Sequence, residues 1–339
     1  MRSKAAWAVT LFFLLSAWLG AGELWAQQKP IELTYSIFFP APHKNTVLAT
    51  QWAEEINKRT NGRVKITMFP GGTLTPADKC YDGVVKGLSD IGMSVVSYTR
   101  GRFPLTEVID LPLGYKSGLA ATKLVNAYYR KFKPKEFDDT QVMYFHAHGP
   151  GILHTKKPVT KLEDLKGMKI RSTGTVAKIV AALGATPVAM PMPETYDALQ
   201  KGIAEGVMCP VEALQGWKLG EVVKSTTLNY GSAYTIAFFV VMNKEKWNSL
   251  PPDIQKVIQE VNEEWIEKTG KSWDEIDTAG MEFVKKLGNK VVPLSKEEDE
   301  RWVKAVQSVF DDYVKSMKEK GLPGEEALKF CREELKKLQ

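Results

Sequence analysis

One pattern occurs twice in this chain, and it restricts the fold more than any other feature. The stretches PADKCYDGVVKGLSDIGMSV, Pro76 to Val95, and PMPETYDALQKGIAEGVMCP, Pro191 to Pro210, align without a gap at an offset of 115 residues. Pro76 meets Pro191, Lys86-Gly87-Leu88 meets Lys201-Gly202-Ile203, Asp90 meets Glu205, and Met93 meets Met208. Each copy reads as a helix, a glycine that stops it, and a short strand. The offset exceeds the roughly 20–50 residues of a solenoid repeat. Two lobes of like topology fit it instead, with the ends of equivalent strands, Ser94 and Cys209, facing each other across a cleft.

The segments around the repeat make the class α/β. IELTYSIFF reads as a buried strand, and NTVLATQWAEEINKRTNG as an amphipathic helix with Val47, Leu48, Trp52 and Ile56 on one face and Gly62 at its stop. RVKITMF then turns Val64, Ile66 and Met68 inward, so the chain begins β-α-β, a unit that needs parallel strands and a right-handed crossover. TIAFFVVMN, Thr235 to Asn243, is apolar enough to lie buried on both sheet faces and is expected to return to the first lobe. The first lobe is therefore placed at 27–147 with about 235–265, and the second at 148–234 with part of the C-terminal helices. From about 252 to 287 the pattern is a single helix, begun by prolines and closed by Gly288, long enough at about 1.5 Å per residue to span both lobes. A strand, VVPL, and two charged helices complete residues 288–339.

The first residues, MRSKAAWAVTLFFLLSAWLGAGELWAQQ, carry Arg2 and Lys4 before an apolar run and a small residue at Ala26. This is the pattern of a secretory signal peptide at 1–26, cleaved after Ala26, and it places the mature protein outside the cytoplasm. The formal charge of +6 is spread over helices that alternate lysine with acid, such as KEEDERWVK, so no nucleic-acid stripe is built. Cys80, Cys209 and Cys331 form neither a disulfide framework nor a zinc pattern. His146, His148 and His154 cluster in sequence but lack acids or cysteines at ligand spacing, so no metal and no cofactor are expected. GxSxG, GxGxxG and P-loop motifs are absent from the sequence.

A binding protein needs less: a cleft that closes, an anchor for the ligand's charge, and shaped walls. In DLKGMKIRSTGT, Arg171 ends a strand just before a Gly/Thr turn that opens a helix near Thr173. Its planar fork can grip a carboxylate through two hydrogen bonds beside a helix N-terminus; a structural arginine paired with an acid is the competing reading. Phe38, Phe39 and His43 surround the first strand-to-helix loop, Ser94 and Tyr98 follow the paired strand, and Glu212 and Trp217 follow the second-lobe strand. All should border the cleft, with core packing as the alternative for the aromatics and a helix-start carboxylate for Glu212.

The stretches DLKGMKIR, LGATPVAMPMPETYDALQKGIAEGV, MNKEKWNSLPPDIQKVI and PLTEVIDLPLGY, together with FPGGTL, resemble the solute-binding proteins of tripartite ATP-independent periplasmic (TRAP) transporters, of the DctP type, over nearly the whole mature chain. The resemblance implies a two-lobed, periplasmic-binding-protein-like receptor that captures an organic acid and delivers it to a membrane permease; a monomer is expected. It matches Arg171 to the family arginine that salt-bridges the ligand carboxylate. Members that bind sialic acid carry a second arginine where this chain has Gly151, and many members place an asparagine where this chain has Cys209 before Pro210. A sugar acid or a second carboxylate is thereby disfavoured, leaving a monocarboxylate, aromatic or 2-oxo. The alternatives are an amino-acid receptor of an ATP-driven importer, or an extracytoplasmic lyase or isomerase in which His43, His148 and Glu212 would converge.

Overall fold

The computed structural model describes residues 29–339, so the signal peptide expected at 1–26 lies outside the described residues. The chain opens with β1 (Ile31–Ile37), α1 (Lys44–Arg59) and β2 (Val64–Phe69), and the two strands are parallel. Leu48, Trp52 and Ile56 recur every four residues and bury one stripe of α1. The helix stops where Asn61 and Gly62 both take left-handed backbone angles, φ 52° and 78°. Val47, expected on the buried face, is 39 % exposed. Each helical step turns about 100°, which carries the residue before Leu48 to the rim of the stripe.

α2 (Cys80–Val85), β3 (Ile91–Val95), α3 (Gly118–Phe132) and β4 (Thr140–Ala147) follow. The chain then crosses to a second sheet through β5 (Gly151–Thr155), β6 (Lys169–Ser172), α4 (Gly174–Ala182), β7 (Thr186–Ala189), α5 (Thr195–Gln200), β8 (Gly206–Pro210), α6 (Ala213–Gly216) and β9 (Ser225–Leu228). It returns with β10 (Ala237–Asn243) and α7 (Lys244–Ser249), and runs on through α8 (Pro252–Lys286), β11 (Lys290–Pro293), α9 (Lys296–Ala305), α10 (Gln307–Glu319) and α11 (Gly324–Leu338). Three helices therefore end the chain where two were expected, because the first bends at Val306 (φ −86°, ψ 2°).

The strand orders are β2-β1-β3-β10-β4 and β11-β9-β5-β8-β6-β7. Followed from its far edge, the second sheet repeats the first: three parallel strands, β7-β6-β8, then β5 antiparallel, then β9, with β11 added outside. The twofold sequence pattern has become geometry. α2 and α5, and β3 and β8, start and end at the same offset of 115 residues seen in the sequence. Gly87 and Gly202 turn the chain at φ 71° and 74°, a conformation that costs glycine little.

β10 lies between β3 and β4, antiparallel to both, and six of its seven residues are buried. The two passages between sheets, after β4 and after β9, pair with each other: the Gly151 N–H donates to the Tyr234 carbonyl at 2.7 Å. α8 packs on α1, α3 and β4 of the first lobe and on α6 of the second. Its 35 residues at about 1.5 Å each give a rod on the order of 50 Å. Trp52 and Trp265 tie it to α1, donating to the Asn262 side chain (2.9 Å) and the Leu48 carbonyl (3.0 Å). Cys80, Cys209 and Cys331 are buried free thiols.

Candidate ligand-binding site

Arg171 stands at the C-terminal end of β6, where an open α/β sheet presents side chains to a ligand. It is 2 % exposed. Its Nε–H donates to the Met190 carbonyl at 3.1 Å, and one terminal nitrogen is buried with no partner among the described residues. No described carboxylate forms an ion pair with it, so the structural-arginine reading does not apply. Desolvating a guanidinium in this way is costly unless an anion arrives to complete it.

The guanidinium faces a slot between the lobes. Phe38, Phe39, Tyr98 and Phe238 form the first-lobe wall; Met192, Cys209, Pro210, Glu212 and Trp217 form the second; His148, Tyr234 and Trp273 also line it. Phe38 and Phe238 lie nearly parallel (8°, centroids 6.4 Å apart), as do Phe38 and Trp217 across the cleft (16°, 6.1 Å). The facing rings of Phe38 and Trp217, 6.1 Å apart, leave no gap wide enough for a further ring between them. The slot is therefore shut. Contacts between the lobes hold it so: the Met192 N–H donates to the Tyr98 hydroxyl (2.9 Å), and the Ser97 and Thr173 hydroxyls lie 3.4 Å apart.

Glu212 is buried and its Oε2 lies 3.2 Å from His43 Nε2. The Asn45 N–H donates to His43 Nδ1 (3.2 Å), which leaves Nε2 as the protonated nitrogen that donates to Glu212. Asp277 of α8 accepts the Glu212 backbone N–H at 2.9 Å and fixes the start of that segment. Burial drives His146 down to about 3, and His148 and His154 down to about 4, with the Arg171 charge a lesser contribution at His148. All three are neutral imidazoles at pH 7; two of them make long-range internal hydrogen bonds, Trp273 Nε1–H to His146 Nδ1 at 3.0 Å and His154 Nε2–H to the Cys209 carbonyl at 3.1 Å. Among the described residues no group of His, Cys, Asp and Glu is arranged to hold a metal.

The sequence-based candidates thus separate. Arg171, Phe39, Tyr98, Cys209, Glu212 and Trp217 come together around one slot. Three do not line it. Ser94 points away, because alternation along β3 turns it toward the turn before α2, where its hydroxyl donates to the Ala77 carbonyl (2.6 Å), and its neighbour Val95 takes the cleft side. Gly151 contributes by lacking a side chain: a Cβ there would lie 2.4 Å from the Tyr234 ring, which occupies that space. His43 stands behind Glu212 and Phe39 as their support. Sequence reasoning missed Tyr234, Phe238, Trp273 and Met192. The continuous apolar run of β10 conceals which face of Phe238 meets the cleft, and Trp273 belongs to a helix whose register against the cleft is a tertiary fact.

These features define a class, a two-lobed binding protein with a slot between its two sheets. Residues 38–316 match the family model described as bacterial extracellular solute-binding protein, family 7 (DctP). The chain belongs to that family, the periplasmic receptors of TRAP transporters, which are binding proteins and not enzymes and which work with membrane permease subunits. Among solved structures, a TRAP solute-binding protein from a marine metagenome, specific for aromatic acid ligands and holding metahydroxyphenylacetate, superposes with a TM-score of 0.87 at 30 % identity over 91 % of this chain and 99 % of that one. A TRAP periplasmic solute-binding protein from Bordetella bronchiseptica with bound (R)- and (S)-mandelate gives 0.85 at 31 % identity over 91 % and 100 %. One from Desulfovibrio salexigens in an open complex gives 0.80 at 35 % identity over 91 % and 96 %.

Proposed function

We propose that this protein captures an aromatic monocarboxylate in the periplasm and passes it to a TRAP permease. The observation that carries the reading is a buried guanidinium, with no acid partner among the described residues, at a slot walled largely by ring faces. Arg171 grips the carboxylate; Phe38, Phe39, Phe238 and Trp217 enclose the apolar body. The near-parallel rings, 6.1 Å apart in the shut slot, part to take a flat ring between their faces, and they offer no hydroxyl partners of their own to a sugar acid. Glu212 opposes a second carboxylate by like charge. The lobes, 27–147 with about 235–265 and 148–234 with part of the C-terminal helices, open about the two passages near Gly151 and Tyr234 to admit the ligand. Closure expels water and strengthens the Arg171 contact. Residues 1–26 direct the chain to the periplasm and are removed.

The test is a melting-temperature screen with phenylacetate, benzoate, succinate and glucuronate. A ligand at 100 times its dissociation constant adds about 2.7 kcal/mol of stability. Phenylacetate or benzoate should raise the melting temperature and be recovered unchanged, with succinate and glucuronate inert. A shift with glucuronate alone, or an undiminished shift in Arg171→Ala, overturns the reading.

A further inference from the structure

Among the described residues, two polar atoms on residues lining this slot are buried without partners: a terminal nitrogen of Arg171 and Nε2 of His148. They ask for opposite things. The Arg171 nitrogen is a donor and needs an acceptor. His148 Nδ1 lies 2.5 Å from the Gly149 carbonyl, and a carbonyl can only accept, so Nδ1 carries the proton and Nε2 presents a lone pair. Burial also keeps the ring neutral, which leaves Nε2 without a proton at pH 7. The ring is held edge-on by Tyr234 (87°, centroids 5.5 Å) and Trp273 (67°, 6.1 Å), so it cannot swing round to another partner without displacing them.

Resting on the aromatic-monocarboxylate reading above, we infer that the ligand carries a hydrogen-bond donor beside its carboxylate, making it an aromatic 2-hydroxy acid, and that His148 is the residue that selects it. The carboxylate completes Arg171 while the 2-hydroxyl donates to His148 Nε2, and the ring parts Phe38 and Trp217, stacked 6.1 Å apart in the shut slot, to lie against their faces. A 2-oxo acid of the same shape presents only lone pairs at that carbon. It would set an acceptor against an acceptor in a site closed to water, and leaving a buried polar atom unpaired is far costlier than the net worth of the bond itself. The unsubstituted acid leaves Nε2 without a partner but adds no repulsion.

Three probes decide it: mandelate, phenylacetate and phenylglyoxylate, titrated calorimetrically against the mature wild-type protein, His148→Phe and His148→Gln. The expected order in wild type is mandelate tightest, phenylacetate weaker by about tenfold, and phenylglyoxylate weakest. His148→Phe keeps a ring but removes the acceptor, so within this variant mandelate should bind no more tightly than phenylacetate. His148→Gln, whose amide oxygen can accept, should recover part of the mandelate preference. Phenylglyoxylate binding as well as mandelate, or the preference surviving in His148→Phe, overturns the inference while leaving the aromatic reading intact. Failure of all three probes to bind overturns both. If His148→Phe does not fold, the wild-type ranking and His148→Gln still decide between the outcomes.

Discussion

Ser36 and Arg171 occupy equivalent places in the two lobes. Ser36 pairs in register with Gly92 of β3, Arg171 with Val207 of β8, and Gly92 and Val207 are themselves partners in the twofold pattern. Each ends a parallel strand at the cleft edge of its sheet, and there the likeness stops. The Ser36 hydroxyl is closed off against the Thr75 hydroxyl at 2.6 Å, while Arg171 keeps a donor with no partner. The first lobe gives ring faces and spends its polar atoms internally; the second gives the charge. A shared topology therefore fixes where a cleft forms but not its chemistry, which depends on single side chains at strand ends and the loops after them.

The sharpest break of this comparison is to remove the two equivalent side chains in turn. Arg171→Ala should cost about 3–5 kcal/mol of ligand binding, measured by calorimetry, because the ligand carboxylate is left buried without its partner. The ligand-free melt should hardly fall, since the charge removed was itself uncompensated. Ser36→Ala should leave affinity unchanged and cost about 1 kcal/mol of stability. Equal loss of affinity in both variants would mean that the lobes share the anchoring.

A second contrast concerns acid. His154, buried in the second lobe, has a folded pKa held near 4 by burial, below its ordinary value. A depressed folded value stabilises the fold above the unfolded pKa, and that stability is lost as pH falls toward about 4. One such group accounts for about 1.4 kcal/mol per pH unit. Denaturant melts of wild type and His154→Gln at pH 7 and pH 5 should therefore show the stability gap between them narrowing by about 2 kcal/mol at the lower pH. A constant gap would mean that His154 titrates alike in the folded and unfolded chain.

Gly151→Ala tests the passage between lobes. Its Cβ would come within 3 Å of three atoms of the Tyr234 ring. Such overpacking should lower stability by about 1–3 kcal/mol and weaken binding by displacing a slot-lining ring. The smallest effect belongs to the wall. Trp217→Ala should weaken an aromatic acid by about 1 kcal/mol while leaving the ligand-free melt almost unmoved, since this ring is only half-buried. A larger loss for an aliphatic acid than for an aromatic one would contradict the role of the ring faces.

Much of this architecture is legible in the chain itself. The offset of 115 residues announces paired helix-strand units that the structure reproduces residue for residue, because a glycine that ends a helix and an alternating or apolar strand are local signals. Arg171 is legible as a candidate from its place between a strand and a helix start. Ser94 was misplaced for a physical reason: two faces of a strand alternate every residue, and being near the cleft end does not say which face a residue takes. His148 could be named, but its selective nitrogen could not, since that depends on a carbonyl the folded backbone brings to the other side of the ring.

The sequence by itself determined the α/β class, the doubled lobe and the long helix after Pro252, all consequences of periodicity and stop signals within a few tens of residues. Only the tertiary structure decided that Arg171 has no acid to answer it among the described residues, that Tyr234 fills the space over Gly151, and that His148 Nε2 is buried without a partner. Those facts depend on atoms brought together from distant parts of the chain. Whether a buried polar atom has a partner is settled by packing across the two lobes, and local pattern carries no record of it.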